Sequence, residues 1–225
     1  MALSLSHERV VAVDGLGKRY PGEKADALNG VSFHVARGEI FGLLGPNGAG
    51  KTTAMSILSG LMRPARGTVR ILGESPFKRS LRVKRAMGLV PQEIALYPSL
   101  TVVLSDHARR RVSTLSGGMK RRANLGIALL HQPQVMILDE PTVGVDVETR
   151  KIILDRLEAF SRDGMTLIYA SHYMEEVQRL CTRAAILDRG EILVQGPLAH
   201  IMSGIPDCQN LEEAFLSLTG RRLIG

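Results

Sequence analysis

Residues 39–61, EIFGLLGPNGAGKTTAMSILSGL, constrain the chain more than any other stretch. Ile40 to Leu44 is a short apolar run suited to a buried parallel strand. It runs straight into Gly45-Pro46-Asn47-Gly48-Ala49-Gly50-Lys51-Thr52, which fits G-x-x-x-x-G-K-S/T, and then into residues compatible with a helix to about Leu61. Glycines are required there because a phosphate must approach bare backbone N–H groups, and because some loop positions need positive φ. Lys51 would reach the β- and γ-phosphates, and the Thr52 hydroxyl would sit on Mg²⁺, with Thr53 continuing the loop into the helix. The stretch predicts an α/β sheet that binds a nucleoside triphosphate.

Three further strand ends carry chemistry. PQVMILDEPT (133–142) predicts a buried strand over Val135 to Leu138 that ends in two carboxylates. Asp139 is suited to hold Mg²⁺, directly or through water, and Glu140 to accept a proton from an attacking water. TLIYASHYMEEV (166–177) repeats the design and ends in Ser171-His172, where an imidazole can hydrogen-bond a γ-phosphate. GLVPQE (88–93) ends a short strand near Gln92, which could touch Mg²⁺ or the water. A second anion cradle, TLSGGMKRR (114–122), lies far along the chain, with Ser116 as N-cap and free N–H groups expected at Gly117 and Gly118. In the helix that follows, Met119, Ala123, Ile127 and Leu130 are expected to face the core.

Bulk properties narrow the class. A chain of 225 residues can bury a large core, and no apolar run approaches the roughly 18 to 20 residues of a membrane span. The start, MALSLSHERVVAVDG, shows no basic segment followed by an apolar one, so no secretory signal is expected. Cys181 and Cys208 are too few for a disulfide framework and read as reduced thiols of a cytoplasmic protein. The net charge of +7 clusters at Lys78, Arg79, Arg82, Lys84 and Arg85, at Arg109 to Arg111, and at Lys120 to Arg122. Such patches suit nucleic acid or an anionic membrane. With no Trp and 4% aromatic residues the chain lacks base-stacking platforms, so solvated faces are the expected reading and nucleic acid is not an expected partner.

The motifs in this order resemble the ATP-binding subunit of an ABC (ATP-binding cassette) transporter: phosphate loop 45–53, Gln92, LSGGM (115–119), VMILDE (135–140), PTVGVD (141–146) and His172. The likeness runs from about Val10 to Leu223. Within the family, VSFHVARGEIFGLLGPNGAGKTT, TVGVD and LEEAFLSLTGRRL are most like bacterial ABC-2-type drug and polysaccharide exporters. The resemblance implies one domain over 1–225: a P-loop NTPase (RecA-like) core, a flanking antiparallel β-subdomain and a helical subdomain. It implies ATP and Mg²⁺, with the Tyr20 ring stacked on adenine. It also implies a partner, because in the family two cassettes pack head to tail and each ATP lies between one phosphate loop and the other chain's signature. Since the first cradle is served by its own helix, Ser116, Gly117 and Gly118 would complete a site on that partner, a homodimer being expected. Asp146 would sit at the same seam and cap a helix running to about Asp163. A separate transmembrane permease, engaged at the cytoplasmic face of the inner membrane, would supply the pathway.

One interval departs from the family. Ser116 follows Gln92 by only 24 positions, where relatives have roughly twice as many and build most of a helical lobe. YPSLTV (97–102) and LSDHARRRVSTLSGG (104–118) look like intact flanks that meet near Val102 and Val103. A shorter protein, an engineered deletion and a segment left out of the sequence all fit, and the helical subdomain is therefore expected to be truncated. Two other functions stay open: an ABC-type ATPase acting on nucleic acid or ribosomes, and a subunit that binds ATP without turning it over.

Overall fold

Residues of the buried strands alternate between two cores, and this decides the architecture. The computed structural model describes the backbone of residues 8–78, 81–96, 101–104, 107–205 and 208–220, and side chains for all of these except 101–110. Arg79, the lead-in 97–100 and the tail from 221 lie outside the described residues, as does the start to His7. In chain order the elements are β1 (Arg9–Lys18), β2 (Leu28–Ala36), β3 (Ile40–Leu44), α1 (Lys51–Leu58), β4 (Arg66–Ile71), α2 (Leu81–Ala86) and β5 (Met87–Val90). Then follow β6 (Thr101–Leu104), β7 (His107–Arg111), a 3-10 turn at Val112–Thr114, α3 (Gly117–Leu129), β8 (Val135–Asp139), α4 (Val147–Arg162), β9 (Thr166–Ser171) and α5 (Met174–Leu180). The chain closes with β10 (Arg183–Asp188), β11 (Glu191–Pro197), α6 (Leu198–Ser203) and α7 (Leu211–Thr219).

The main sheet has the order β11-β10-β3-β9-β8-β5, parallel except for the β10–β11 hairpin, which closes one edge. Every residue of β3, β8 and β9 is buried, because both faces of a parallel sheet are covered. Phe41, Leu43, Val135, Ile137, Ile168 and Ala170 point to one core, which they share with α1 and a three-stranded antiparallel sheet of order β2-β1-β4. Ile40, Leu44, Met136, Leu138, Leu167 and Tyr169 point to the other, shared with α4, α5 and α7. Period-2 alternation thus builds two cores from one set of strands. The expected α/β class, with its parallel core and antiparallel flank, is the observed one.

Between Gln92 and Ser116 the described residues form a two-stranded hairpin, with Thr101 opposite Arg111 and Leu104 opposite His107. No α-helix lies in that interval among the described residues, and Val102 sits inside β6. Among the described residues no helix is long and apolar enough to cross a membrane.

Two expectations for α3 are corrected. Ile127 is 38% and Leu130 79% exposed, while Arg121, Asn124, Leu125 and Ala128 form the buried face, with Ala123 beside it. Arg121, expected on a solvated basic face, is 4% exposed. The rotation follows from hydrogen bonding. Arg121 reaches three loop carbonyls, and satisfying those acceptors turns the polar stripe inward.

Candidate functional site

The loop 45–50 joins the carboxyl end of β3 to α1, and β9, β8 and β5 deliver the other groups to the same edge of the sheet. Leu44 lies opposite Ser171, and Asp139 opposite Ala170. Glu140 and His172 therefore leave neighbouring strand ends beside the loop, with strands roughly 5 Å apart. A cleft of about 400 Å³ opens over the loop, walled by Tyr20, Pro46, Asn47, Gly48, Gly50, Lys51, Thr52, Thr53, Gln92 and Glu140. A larger cleft of about 630 Å³ lies among Arg9, His34, Arg37 and Arg183, at the amino ends of the strands and away from this chemistry.

The loop is built for close approach. Gly50, the N-cap of α1, has φ +106°, and no side chain caps the helix, so its first N–H groups remain available to an anion. A Cβ on Gly50 would stand 2.4 Å from the Ala27 carbonyl oxygen, and one on Gly45 2.3 Å from that of Leu187. Gly48, at φ +81°, has open space instead. Ala49 is buried, and its carbonyl accepts from the Gly190 N–H at 2.9 Å. Gly50→Ala is expected to lower stability by about 3 kcal/mol, roughly 10 °C in melting temperature, through a forbidden φ plus a steric clash. Thermal unfolding beside Gly48→Ala, which meets no clash, checks this.

Lys51 is 5% exposed. Its Nζ donates to the carbonyls of Gly45 (2.8 Å) and Pro46 (3.2 Å) and lies 3.2 Å from Glu140 Oε1. Glu140 is 3% exposed at φ +49°, a left-handed conformation rare for a side-chain-bearing residue. Its N–H donates to Ala170 O at 3.0 Å, which extends the β8–β9 ladder by one residue while the turned backbone aims the carboxylate at the loop. His172 Nδ1 stands 2.7 Å from Glu140 Oε2, without the alignment of a hydrogen bond. The histidine ring packs against Tyr173 at 4.1 Å between centroids.

Asp139 is 3% exposed, and one carboxylate oxygen, Oδ1, has no hydrogen-bond partner. Burial raises its pKa above the usual aspartate value, and Glu140 adds to this; a hydrogen bond from Thr52 and the charge of Lys51 oppose it. An orphaned buried carboxylate oxygen beside a threonine hydroxyl is what a hard divalent cation relieves, so the residues fit Mg²⁺. Among the described residues no group of three or more His, Cys, Asp or Glu gathers to hold a metal, so a phosphate would have to complete the coordination. Gln92 is exposed at the rim, in a second small cleft with Thr52 and Asp139. Tyr20 is 37% exposed at the far end of the main cleft, its hydroxyl 3.1 Å from Thr53 Oγ1.

The second cradle stands elsewhere. Ser116 caps α3, its Oγ accepting from the Met119 N–H at 3.2 Å, and Gly117 and Gly118 open the helix. Asp146 caps α4 by accepting from Thr149 N and Thr149 Oγ1, both at 2.8 Å, which holds its pKa below the usual range. A Cβ on Gly118 would come 3.0 Å from Thr149 Oγ1, so the two helix starts are packed together. None of Ser116, Gly117, Gly118 or Asp146 lines the cleft over the phosphate loop.

Two groups near the site escape sequence reasoning. Glu176, 4% exposed, accepts at Oε2 from Tyr169 OH (2.6 Å), Thr142 Oγ1 (2.8 Å) and Ser171 Oγ (3.3 Å), and Arg150 Nε stands 3.4 Å from its Oε1. It thereby ties the residue two after Glu140 to the residue before His172. Burial and the nearby Glu176 charge push the Tyr169 phenol well above its usual pKa. The second group is Arg121. Its only trace in the sequence is that Arg121, Asn124, Leu125 and Ala128 fall at i, i+3, i+4 and i+7, a helical stripe that a search for apolar residues passes over.

A phosphate loop on the carboxyl edge of a parallel sheet, with a strand-end carboxylate pair beside it, defines a P-loop NTPase. Residues 28–143 match the ABC transporter family, and the chain belongs to that family as an ATP-binding subunit. It is 42% identical over 209 residues to the linearmycin resistance ATP-binding protein LnrL of Bacillus subtilis (strain 168), covering 80% of this chain and 67% of that protein. It is 40% identical over 235 residues to the Nod factor export ATP-binding protein I of Paraburkholderia xenovorans (strain LB400), covering 91% and 76%. Among solved structures, an ATP binding subunit of an ABC transporter superposes with TM-score 0.86 at 26% identity, over 93% of this chain and 99% of that one. A dimeric ATP-binding cassette in a post-hydrolysis state with ADP and Pi shares the fold at TM-score 0.77 and 23% identity, over 83% and 98%.

Proposed function

We propose that two copies of this chain close head to tail over ATP, hydrolyse it, and so drive export through a separate transmembrane permease at the cytoplasmic face of the membrane. One observation carries this reading. The chain holds two anion-binding helix starts, yet Ser116, Gly117, Gly118 and Asp146 stand outside the cleft over its own phosphate loop. A second chain, turned head to tail, gives that spare cradle a γ-phosphate to meet. The relatives named for Nod factor export and linearmycin resistance support the direction of transport.

In this reading the Tyr20 ring stacks on adenine, and Lys51 exchanges the Gly45 and Pro46 carbonyls for phosphate oxygens. Glu140 accepts the proton of the attacking water, and His172 hydrogen-bonds the γ-phosphate. Thr52 and Asp139 would hold Mg²⁺, with Gln92 beside them, and the bound ion would supply positive charge to offset that of the triphosphate. Adenine recognition by one ring and phosphate recognition by backbone leave the exported substrate to the permease. The interval between Gln92 and Ser116 is read as a shortened helical lobe.

That short lobe favours a second reading, in which ATP binds but is not turned over. Phosphate release from the purified chain, measured per chain during serial dilution with saturating Mg-ATP, separates them. The rate per chain is expected to fall as dimers dissociate. A rate independent of dilution would overturn the shared-site reading, and no release at any concentration, with ATP bound, selects the second.

A further inference from the structure

We infer that Arg121 is a positioning residue that couples the two ATP sites of the dimer, tying the glutamine loop at a chain's own site to the signature helix it lends its partner. The inference rests on the reading above and names a residue within it.

The side chain is 4% exposed, and no carboxylate pairs with it among the described residues. Its charge is met by backbone alone. Nη1 donates to Pro91 O at 3.0 Å, and Nη2 donates to Gln92 O at 2.8 Å and Val143 O at 3.4 Å. Burial pushes the guanidinium pKa down, yet an arginine stays charged. A buried cation with no anionic partner is an expensive way to fill space. What it gains is reach: the three carbonyls belong to two different loops of the catalytic edge. Gln92 stands beside Thr52 and Asp139, and Val143 N–H donates to Glu140 O at 3.2 Å. Arg121 itself lies five residues past Ser116, on the same rigid helix α3. A shift of the Gln92 backbone on meeting Mg-ATP is therefore conveyed to the helix start presented to the second site. The planar fork matters, because a lysine offers one point charge and cannot hold both loops.

The test uses the full chain carrying Glu140→Gln, so that closed dimers accumulate, with Arg121→Lys or Arg121→Met added. Two quantities are read: ATP affinity at dilutions where chains are monomers, and the ATP dependence of dimerisation by sedimentation. Monomer affinity is expected to stay within about twofold, while the ATP concentration for half-dimerisation rises about tenfold or more and the Hill slope falls from about two toward one. Adding Gln92→Ala should make the Arg121 effect smaller than its effect alone, because the Gln92 side chain senses Mg-ATP and Arg121, bonded to the Gln92 carbonyl, passes the shift on, so the two act in series. Circular dichroism reports folding, and Arg121→Lys carries the test where the methionine variant unfolds. Dimerisation at the parental ATP concentration and slope would overturn the inference. So would an equal loss of monomer affinity, which marks a merely structural role, and so would effects that multiply independently with Gln92→Ala. If the Glu140→Gln parent never dimerises, the shared-site reading itself falls, and the inference with it.

Discussion

Glu140→Gln is expected to cut phosphate release by about three orders of magnitude and to leave ATP trapped between two chains. The amide has nearly the volume of the carboxylate but cannot accept the proton of an attacking water. It can keep a contact with Lys51, whose ammonium also has the Gly45 and Pro46 carbonyls as partners, so the loop survives. Glutamine tolerates φ +49° no worse than glutamate, so the β8 end is retained. Removing the charge also removes repulsion toward a γ-phosphate, which favours the closed state. Gel filtration with saturating Mg-ATP should give a dimer, and a monomer there would count against the mechanism.

Lys51→Ala should weaken ATP binding by about a hundredfold or more, the worth of charge-assisted bonds to phosphate in a buried site. It carries a second cost. Glu140, 3% exposed, loses its lysine partner, and two loop carbonyls lose a donor, so the unliganded chain should be less stable by about 3 kcal/mol. Adding Glu140→Gln to Lys51→Ala separates these effects: stability should largely return, because no uncompensated charge remains, while ATP affinity should not. Undiminished ATP affinity of Lys51→Ala, measured by titration calorimetry, would overturn the site assignment.

Legibility in the sequence varied with the distance over which each feature is decided. Strand β3 and the loop after it were legible to the residue, because one apolar run and eight loop residues carry all their own constraints. The caps were equally local: Ser116 and Asp146 each bond a backbone N–H three residues on. The face of α3 was legible only in part: Ala123 is buried as expected, Ile127 and Leu130 are not. Apolarity argued for Met119, Ala123, Ile127 and Leu130, but the outcome turned on acceptors in loops 22 to 30 residues away. The hairpin β6–β7 was likewise unforeseen, since that stretch was legible only as an interval too short for its family.

The amino-acid sequence alone determined the α/β class, the triphosphate loop, the strand-end groups Asp139, Glu140 and His172, and the existence of a second anion cradle. These depend on short-range backbone geometry and on burial patterns that repeat every two residues. Only the tertiary structure decided that Glu140 sits between Lys51 and His172, that Glu176 binds the segments behind both, and that Arg121 spans two loops. Those contacts join residues far apart in the chain, and only folding brings the Lys51 ammonium to Glu140 and the Arg121 guanidinium to its three carbonyls.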